Sequence, residues 1–127
     1  MKKIIKTYHA PKPIGPYSQA VFINGVLYVS GQIAIDPESG QIVDKSIEEE
    51  TRQVMKNIKA VLAEAGMTFN HIVKTSIFLS DMDYFGQVNE TYGKYFEKDF
   101  PARETVAVKT LPKNVNVEIS VIAVINE

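Results

Sequence analysis

Between Ser46 and Gly66, the apolar or small residues Ile47, Thr51, Val54, Ile58, Val61, Leu62 and Ala65 recur at intervals of mainly three and four. That period predicts one amphipathic helix with a single stripe facing a sheet. Ser46 followed by Glu49 has the spacing of a capping box, and Gly66 supplies the stop. Elsewhere the period shortens to two. Ile72–Leu79 puts Val73, Thr75, Ile77 and Leu79 on one face of a strand. Ala20–Asn24 and Val26–Ser30 flank Asn24-Gly25, a strong signal for a tight hairpin. Residues 1–8 read as a short strand through Ile4, Ile5 and Tyr8, and the Pro-rich run His9–Pro16 reads as a loop. Asp81–Asp83 caps a second helix reaching about Phe96, with Phe85, Val88, Tyr92 and Tyr95 or Phe96 as its stripe. Arg103–Thr110 and Val115–Ile125 read as a closing hairpin around the turn Leu111–Asn114.

The element order is therefore β-β-β-α-β-α-β-β. Strands joined through a helix tend to run parallel and hairpins antiparallel. The expected architecture is α+β: a two-layer fold with a mixed β-sheet and both helices on one face. The last strand is apolar on both faces near its end, where Val117, Ile119, Val121, Ala123 and Ile125 alternate with Ile122 and Val124. A second apolar face needs cover, and no chain remains to supply it. This predicts a homo-oligomer with sites at the subunit seams.

Composition narrows the function more than the fold. The chain has 127 residues, which suits a single domain, 1–127, with a proper core. Its net charge of −1 gives no basic excess for nucleic acid. There is no Cys, so thiol catalysis, thiolate metal sites and disulfides are excluded. Only His9 and His71 are present, without metal-ligand spacing, so no metal and no cofactor is expected. Met1–Lys6 is basic but lacks the apolar core of a signal peptide, and no apolar run approaches membrane-spanning length; a cytoplasmic protein is expected.

What chemistry remains concentrates near the end of the chain. Phe100-Pro101-Ala102-Arg103 leads into a β-type run, and Glu118 is the one carboxylate inside the apolar last strand. A guanidinium and a carboxylate carried into a sheet need partners. They form either a structural ion pair across the hairpin or a ligand site. In the second reading Arg103 holds an anion and Glu118 handles a proton or a water. Tyr17, after the Pro-rich loop, is a packing aromatic or a pocket wall. Ser30-Gly31 ends a strand in a bulge, or brings backbone close to a ligand. Asn89 is a poor helix former inside the second helix, either solvated or aimed at the site. Thr105 shares Arg103's strand face and is a good β-former or a pocket hydroxyl.

Five stretches together resemble the Rid (YjgF) family: Ile14–Ala20 (IGPYSQA), Val29–Ile33 (VSGQI), Val88–Tyr92 (VNETY), Phe100–Arg103 (FPAR), and Leu111–Lys113 through Val117–Ile119. They occur in the right order over nearly the whole chain. The resemblance implies a chorismate-mutase-like fold and a homotrimer with three clefts between subunits. It implies hydrolysis of reactive enamine and imine intermediates, such as 2-aminoacrylate and 2-iminobutanoate, to 2-oxo acids and ammonia. It also implies that Arg103 binds the substrate carboxylate, that Glu118 positions water, and that Tyr17, Ser30, Gly31 and Asn89 line the pocket. At Thr105 the chain departs from the pattern, since deaminating members commonly carry Cys there. A 2-oxo acid or amino acid binding module, with a regulatory rather than a catalytic role, and an endoribonuclease are the alternatives.

Overall fold

The computed structural model of the protein describes residues 1–125. Six strands form one mixed sheet: β1 (Lys3–Ile5), β2 (Ala20–Ile23), β3 (Val26–Gln32), β4 (Ile72–Leu79), β5 (Ala102–Ala107) and β6 (Val117–Val124). Their spatial order is β1-β2-β3-β6-β4-β5. Two helices, α1 (Ile47–Glu64) and α2 (Phe85–Gly93), pack together on one side of it. This is the two-layer α+β architecture that the periodicity implies.

The local signals act as their chemistry requires. Asn24 and Gly25 both take positive φ, 51° and 80°, which the two-residue turn between β2 and β3 needs. The Ser46 hydroxyl accepts from the Glu49 N–H at 3.0 Å and caps α1. Gly66, at φ 74°, ends it, with Gly66 N–H on Ala63 O and Met67 N–H on Leu62 O closing a Schellman turn. α2 is shorter than its stripe suggested. A 3₁₀ turn, Met82–Tyr84, capped by Asp81, precedes it, and the helix stops at Gly93. The core lies between the layers. Leu27, Val29, Ile77, Leu79, Val117, Ile119, Val121 and Ala123 of the sheet meet Val54, Met55, Ile58, Val61, Leu62, Val88 and Tyr92 of the helices. Each fully buried aliphatic side chain contributes about 1.5–3 kcal/mol.

Two expectations are corrected. β5 and β6 do not form a hairpin. β5 runs parallel to β4 (Thr75↔Arg103, Ile77↔Thr105), joined to it through α2, and ends the sheet. β6 is inserted between β3 and β4, antiparallel to both. Arg103 and Glu118 are therefore not on adjacent strands, because β4 separates them. On β4 a register shift between Ile72 and Lys74 buries Ile72 and turns Val73 outward, so Val73 leaves the face of Thr75, Ile77 and Leu79.

Among the described residues, no helix lies over the second face of the sheet. Tyr28, Phe78, Ile122, Val124 and Val106 lie there among Lys74, Ser76, Glu104, Glu118 and Ser120. Glu104 is fixed by Lys74 at 3.0 Å and by the Ser76 hydroxyl, which together hold its carboxyl below the ordinary value. Among the described residues no helix is long and apolar enough to cross a membrane.

Candidate functional site

Arg103 faces α2. Its strand partner Thr75 is buried, and its guanidinium carbon sits 5.3 Å from the centre of the Tyr92 ring and 5.7 Å from that of Phe85. These rings form a π floor that holds the cation without neutralising it. Tyr92 is itself pinned. Its hydroxyl donates to Thr75 Oγ1 at 2.9 Å, and burial raises its pKa, which keeps it a phenol. Among the described residues, no carboxylate lies within ion-pair distance of Arg103. Beside it opens a cleft of about 490 Å³ lined by Asn89, Tyr92, Gly93, Phe100, Pro101 and Arg103. The structure thus brings Arg103 and Asn89 together, with the exposed Phe100 ring at the rim.

Thr105 lies two residues on, on the same strand face. Its hydroxyl oxygen is, among the described residues, the one buried side-chain polar atom without a hydrogen-bond partner. An unpaired buried hydroxyl costs about 1–3 kcal/mol, so its position must be maintained against that penalty.

Glu118 belongs to the other face. Opposite it on β3 the register slips: Ser30 and Gly31 together stand against the single residue Ser120, so they form a bulge. The bulge brings the Gly31 backbone against the Glu118 side chain. A methyl group on Gly31 would lie 2.8 Å from Glu118 Cδ and 3.0 Å from Cγ, and closer still to a carboxylate oxygen. Gly31 is therefore required by close approach, not by φ. Desolvation alone raises the pKa of the half-buried Glu118 carboxyl. Gly31→Ala is expected to keep the fold, since the obstructing atoms belong to the end of a flexible side chain, while driving the Glu118 carboxylate out of its seat. Relief of the raised Glu118 pKa toward its ordinary value, beside an unchanged melting profile, is the expected outcome, and a carboxyl titration identical to wild type would mean that the side chain is not seated against Gly31.

Tyr17 and Ser30 are joined to this side through the loop. The Ser30 hydroxyl donates to Ser18 O at 2.6 Å, and its N–H donates to Gln19 O at 2.9 Å. Gln19 is buried and accepts from Thr7 N–H while donating to the carbonyls of Thr7, Ala10 and Pro11, so it holds the Pro-rich loop closed. Tyr17, half-exposed, accepts from Ile14 N–H at 3.2 Å and borders a second cleft with Ser18, Lys12 and Lys6.

The candidate residues therefore fall into two groups. Arg103, Asn89 and Thr105 belong to β5 and α2; Tyr17, Ser30, Gly31 and Glu118 belong to β3, β6 and the loop before β2. Within one chain the groups do not meet. Arg103 and Glu118 lie two strands apart, about 10 Å across the sheet, on opposite faces. An ion pair between them inside one chain is excluded. Three buried polar residues outside the candidate set shape the loops: Gln19, Glu50 and Asn57. Glu50 and Asn57 could have been found, because they fall on the same stripe as Val54, Ile58 and Val61.

A six-stranded mixed sheet backed by two helices, with Arg103 on its edge strand and a glycine–glutamate contact on the other face, defines a small two-layer α+β class. Comparison gives that class its family. The family model described as Endoribonuclease L-PSP matches residues 7–125. A RutC family protein of Pyrococcus horikoshii is 50% identical over 97% of this chain and 98% of its own. The 2-iminobutanoate/2-iminopropanoate deaminase of Mus musculus is 48% identical over 98% of this chain and 92% of its own. A crystal structure from the conserved Rid protein family of Yersinia pestis superposes with a TM-score of 0.95 at 53% identity, covering 98% of this chain and all of that one. The chain belongs to the Rid family.

Proposed function

We propose that the protein is a deaminase that hydrolyses 2-imino acids and their enamine tautomers, such as 2-iminobutanoate and 2-aminoacrylate, to 2-oxo acids and ammonia. The observation that carries this reading is the Arg103 guanidinium: fixed on two aromatic rings, facing a cleft, and without an acidic partner among the described residues. A planar fork held in that way suits a substrate carboxylate bidentately. The similarity to a mammalian deaminase over nearly the full chain supports the same reaction.

The chemistry asks little beyond positioning. With the carboxylate held by Arg103, water adds to the C=N carbon while Glu118 accepts its proton. Addition to the protonated imine gives the neutral carbinolamine; Glu118 returns the proton to its nitrogen, the C–N bond breaks and ammonia leaves as the hydroxyl oxygen forms C=O and gives its proton back to Glu118. A carboxyl whose pKa burial has raised is better matched to proton transfer near neutrality.

Since one chain's Arg103 and Glu118 lie on opposite faces, the working site needs two copies. We infer a homotrimer in which the bare faces, with Tyr28, Ile122 and Val124, pack inward and each cleft joins Arg103 of one subunit to Glu118 of the next. Mixed assembly tests this directly. Arg103→Ala and Glu118→Ala proteins should each be inactive, and subunits of the two unfolded and refolded together should regain part of wild-type activity. A monomer in light scattering at micromolar concentration, or no regain in mixed protein known to co-assemble, defeats the shared site. The activity itself is tested by generating 2-iminobutanoate with a threonine dehydratase and following its loss with and without the protein. A protein that binds 2-oxobutanoate without accelerating that loss would be a binding module instead. An endoribonuclease reading finds little support, because Arg103 is the only cation lining its cleft among the described residues and the net charge is −1.

A further inference from the structure

Two fully buried polar residues of α1, Glu50 and Asn57, stand seven residues apart, two helical turns, and so share one face of the helix. Each grips a different chain segment. The Glu50 carboxylate accepts from Asn116 N–H at 2.7 Å, from Val117 N–H at 3.0 Å and from Asn116 Nδ2 at 3.0 Å. Asn57 donates through Nδ2 to Ile33 O and Ile35 O, both at 3.0 Å, and accepts from Gln53 Nε2 at 2.9 Å. The first set of bonds catches the chain immediately before Glu118. The second catches it immediately after the Ser30-Gly31 bulge.

Both segments need a clamp. The chain reaches Asn116 through Lys113 and Asn114, two consecutive residues in left-handed conformation, so the turn does not by itself aim β6. On the other side β3 leaves the sheet ladder after Gln32. The Asn116 junction is saturated: its carbonyl accepts from Ser80 N–H at 3.0 Å and its Oδ1 from the Ser80 hydroxyl at 2.9 Å. α1 thus fixes the two strands that carry the Gly31–Glu118 contact from one rigid element.

We propose that Glu50 and Asn57 are positioning residues for the hydrolytic water, acting through the backbone that places Glu118 against Gly31. The proposal rests on the deaminase reading above. It gives α1 a part in the reaction although no α1 side chain is among the candidate site residues. It also predicts a selective defect. Carboxylate binding depends on Arg103, which stands on β5 against Phe85 and Tyr92, so a loosened α1 clamp should lower kcat and spare affinity.

The charge on Glu50 is not required. In Glu50→Gln the remaining oxygen can accept both backbone N–H groups. The new NH₂ can donate to Asn116 once that side chain flips, and the flipped amide donates to the Ser80 hydroxyl. Glu50→Leu offers none of these acceptors. The experiment measures kcat for 2-iminobutanoate, calorimetric affinity for 2-oxobutanoate and melting temperature on wild type, Glu50→Gln, Glu50→Leu and Asn57→Leu. Expected are near wild-type kcat for Glu50→Gln and a fall of tenfold or more for the folded leucine variants, with affinity within about twofold of wild type. A folded leucine variant with wild-type kcat overturns the proposal, as does one whose kcat and affinity fall together. If the leucine variants do not fold, Ser80→Ala, which removes only the hydroxyl bond to Asn116, carries the same comparison. There a threefold fall in kcat at constant affinity supports the clamp, and no change overturns it. Wild-type protein that neither turns over the imine nor binds the 2-oxo acid would instead overturn the deaminase reading, a result separate from any of these.

Discussion

Arg103→Lys is expected to give a folded, assembled protein that has lost most of its imine turnover. Lysine keeps the positive charge and some attraction to the Tyr92 and Phe85 rings, since an ammonium also interacts with a π face. It loses the planar fork, so one carboxylate oxygen goes without its directed donor. A hydrogen bond to a charged group is worth about 1.5–3 kcal/mol, which corresponds to roughly 10- to 100-fold in kcat/KM. Because substrate and transition state both carry the carboxylate, weaker 2-oxobutanoate binding should account for much of the loss. The melting temperature should hardly move, for among the described residues no carboxylate is left behind unpaired. A clear drop in melting temperature with turnover intact in the folded fraction would make Arg103 a structural cation, and the deaminase reading would lose its main support.

The helix signals were legible because they are local. The Ser46 cap, the α1 stripe and the Gly66 stop each depend on residues within one helical turn of each other, and so does the Asn24-Gly25 turn. Strand pairing is not local, and there the sequence misled. A short connection between Arg103–Thr110 and Val115–Ile125 looks like a hairpin. In the fold it is a 3₁₀ turn anchored by Leu111 and Val115 on Ile33, and it carries the chain past β4. The relevant signal was composition. β5 carries adjacent charges at Arg103 and Glu104, as an edge strand tolerates, whereas β6 is apolar on both sides, as an interior strand requires. Reading edges from charge would have put β5 outside and β6 within.

The candidate site was legible as a set of residues but not as a geometry. Arg103, Glu118, Gly31 and Asn89 carry their chemistry in their types and in family motifs. Whether two of them face the same side depends on register, and a slip of one residue reverses it. The α1 stripe marks Glu50 and Asn57 as inward-facing, but not what they hold. Their partners lie 66 and 24 residues away, which no local rule supplies.

The second large effect is expected from Glu118→Gln, which keeps the shape of the side chain and removes its basicity. If Glu118 accepts the proton of the attacking water, turnover should fall by about 10²-fold or more while 2-oxobutanoate still binds through Arg103. Stability gives an independent sign. Burial holds the Glu118 pKa above its ordinary value, so the folded protein binds that proton more tightly than the unfolded chain. The stability linked to it is complete below the unfolded pKa and is lost as pH rises through the folded one. Glutamine has no such loss, so at neutral pH the variant should melt no lower than wild type. Wild-type kcat/KM should rise with pH through the same raised pKa, and that limb should be missing from the variant. A structural role makes the opposite set of predictions. Were Glu118 the counter-ion of a neighbouring subunit's arginine, its neutralisation would leave a guanidinium unpaired, at a cost of about 3–5 kcal/mol where the pair is buried. Melting temperature and ligand affinity would then fall together, and the pH limb would follow unfolding. Melting curves, 2-oxobutanoate calorimetry and a pH–rate profile on this one variant therefore separate a carboxylate that moves a proton from one that holds the assembly together.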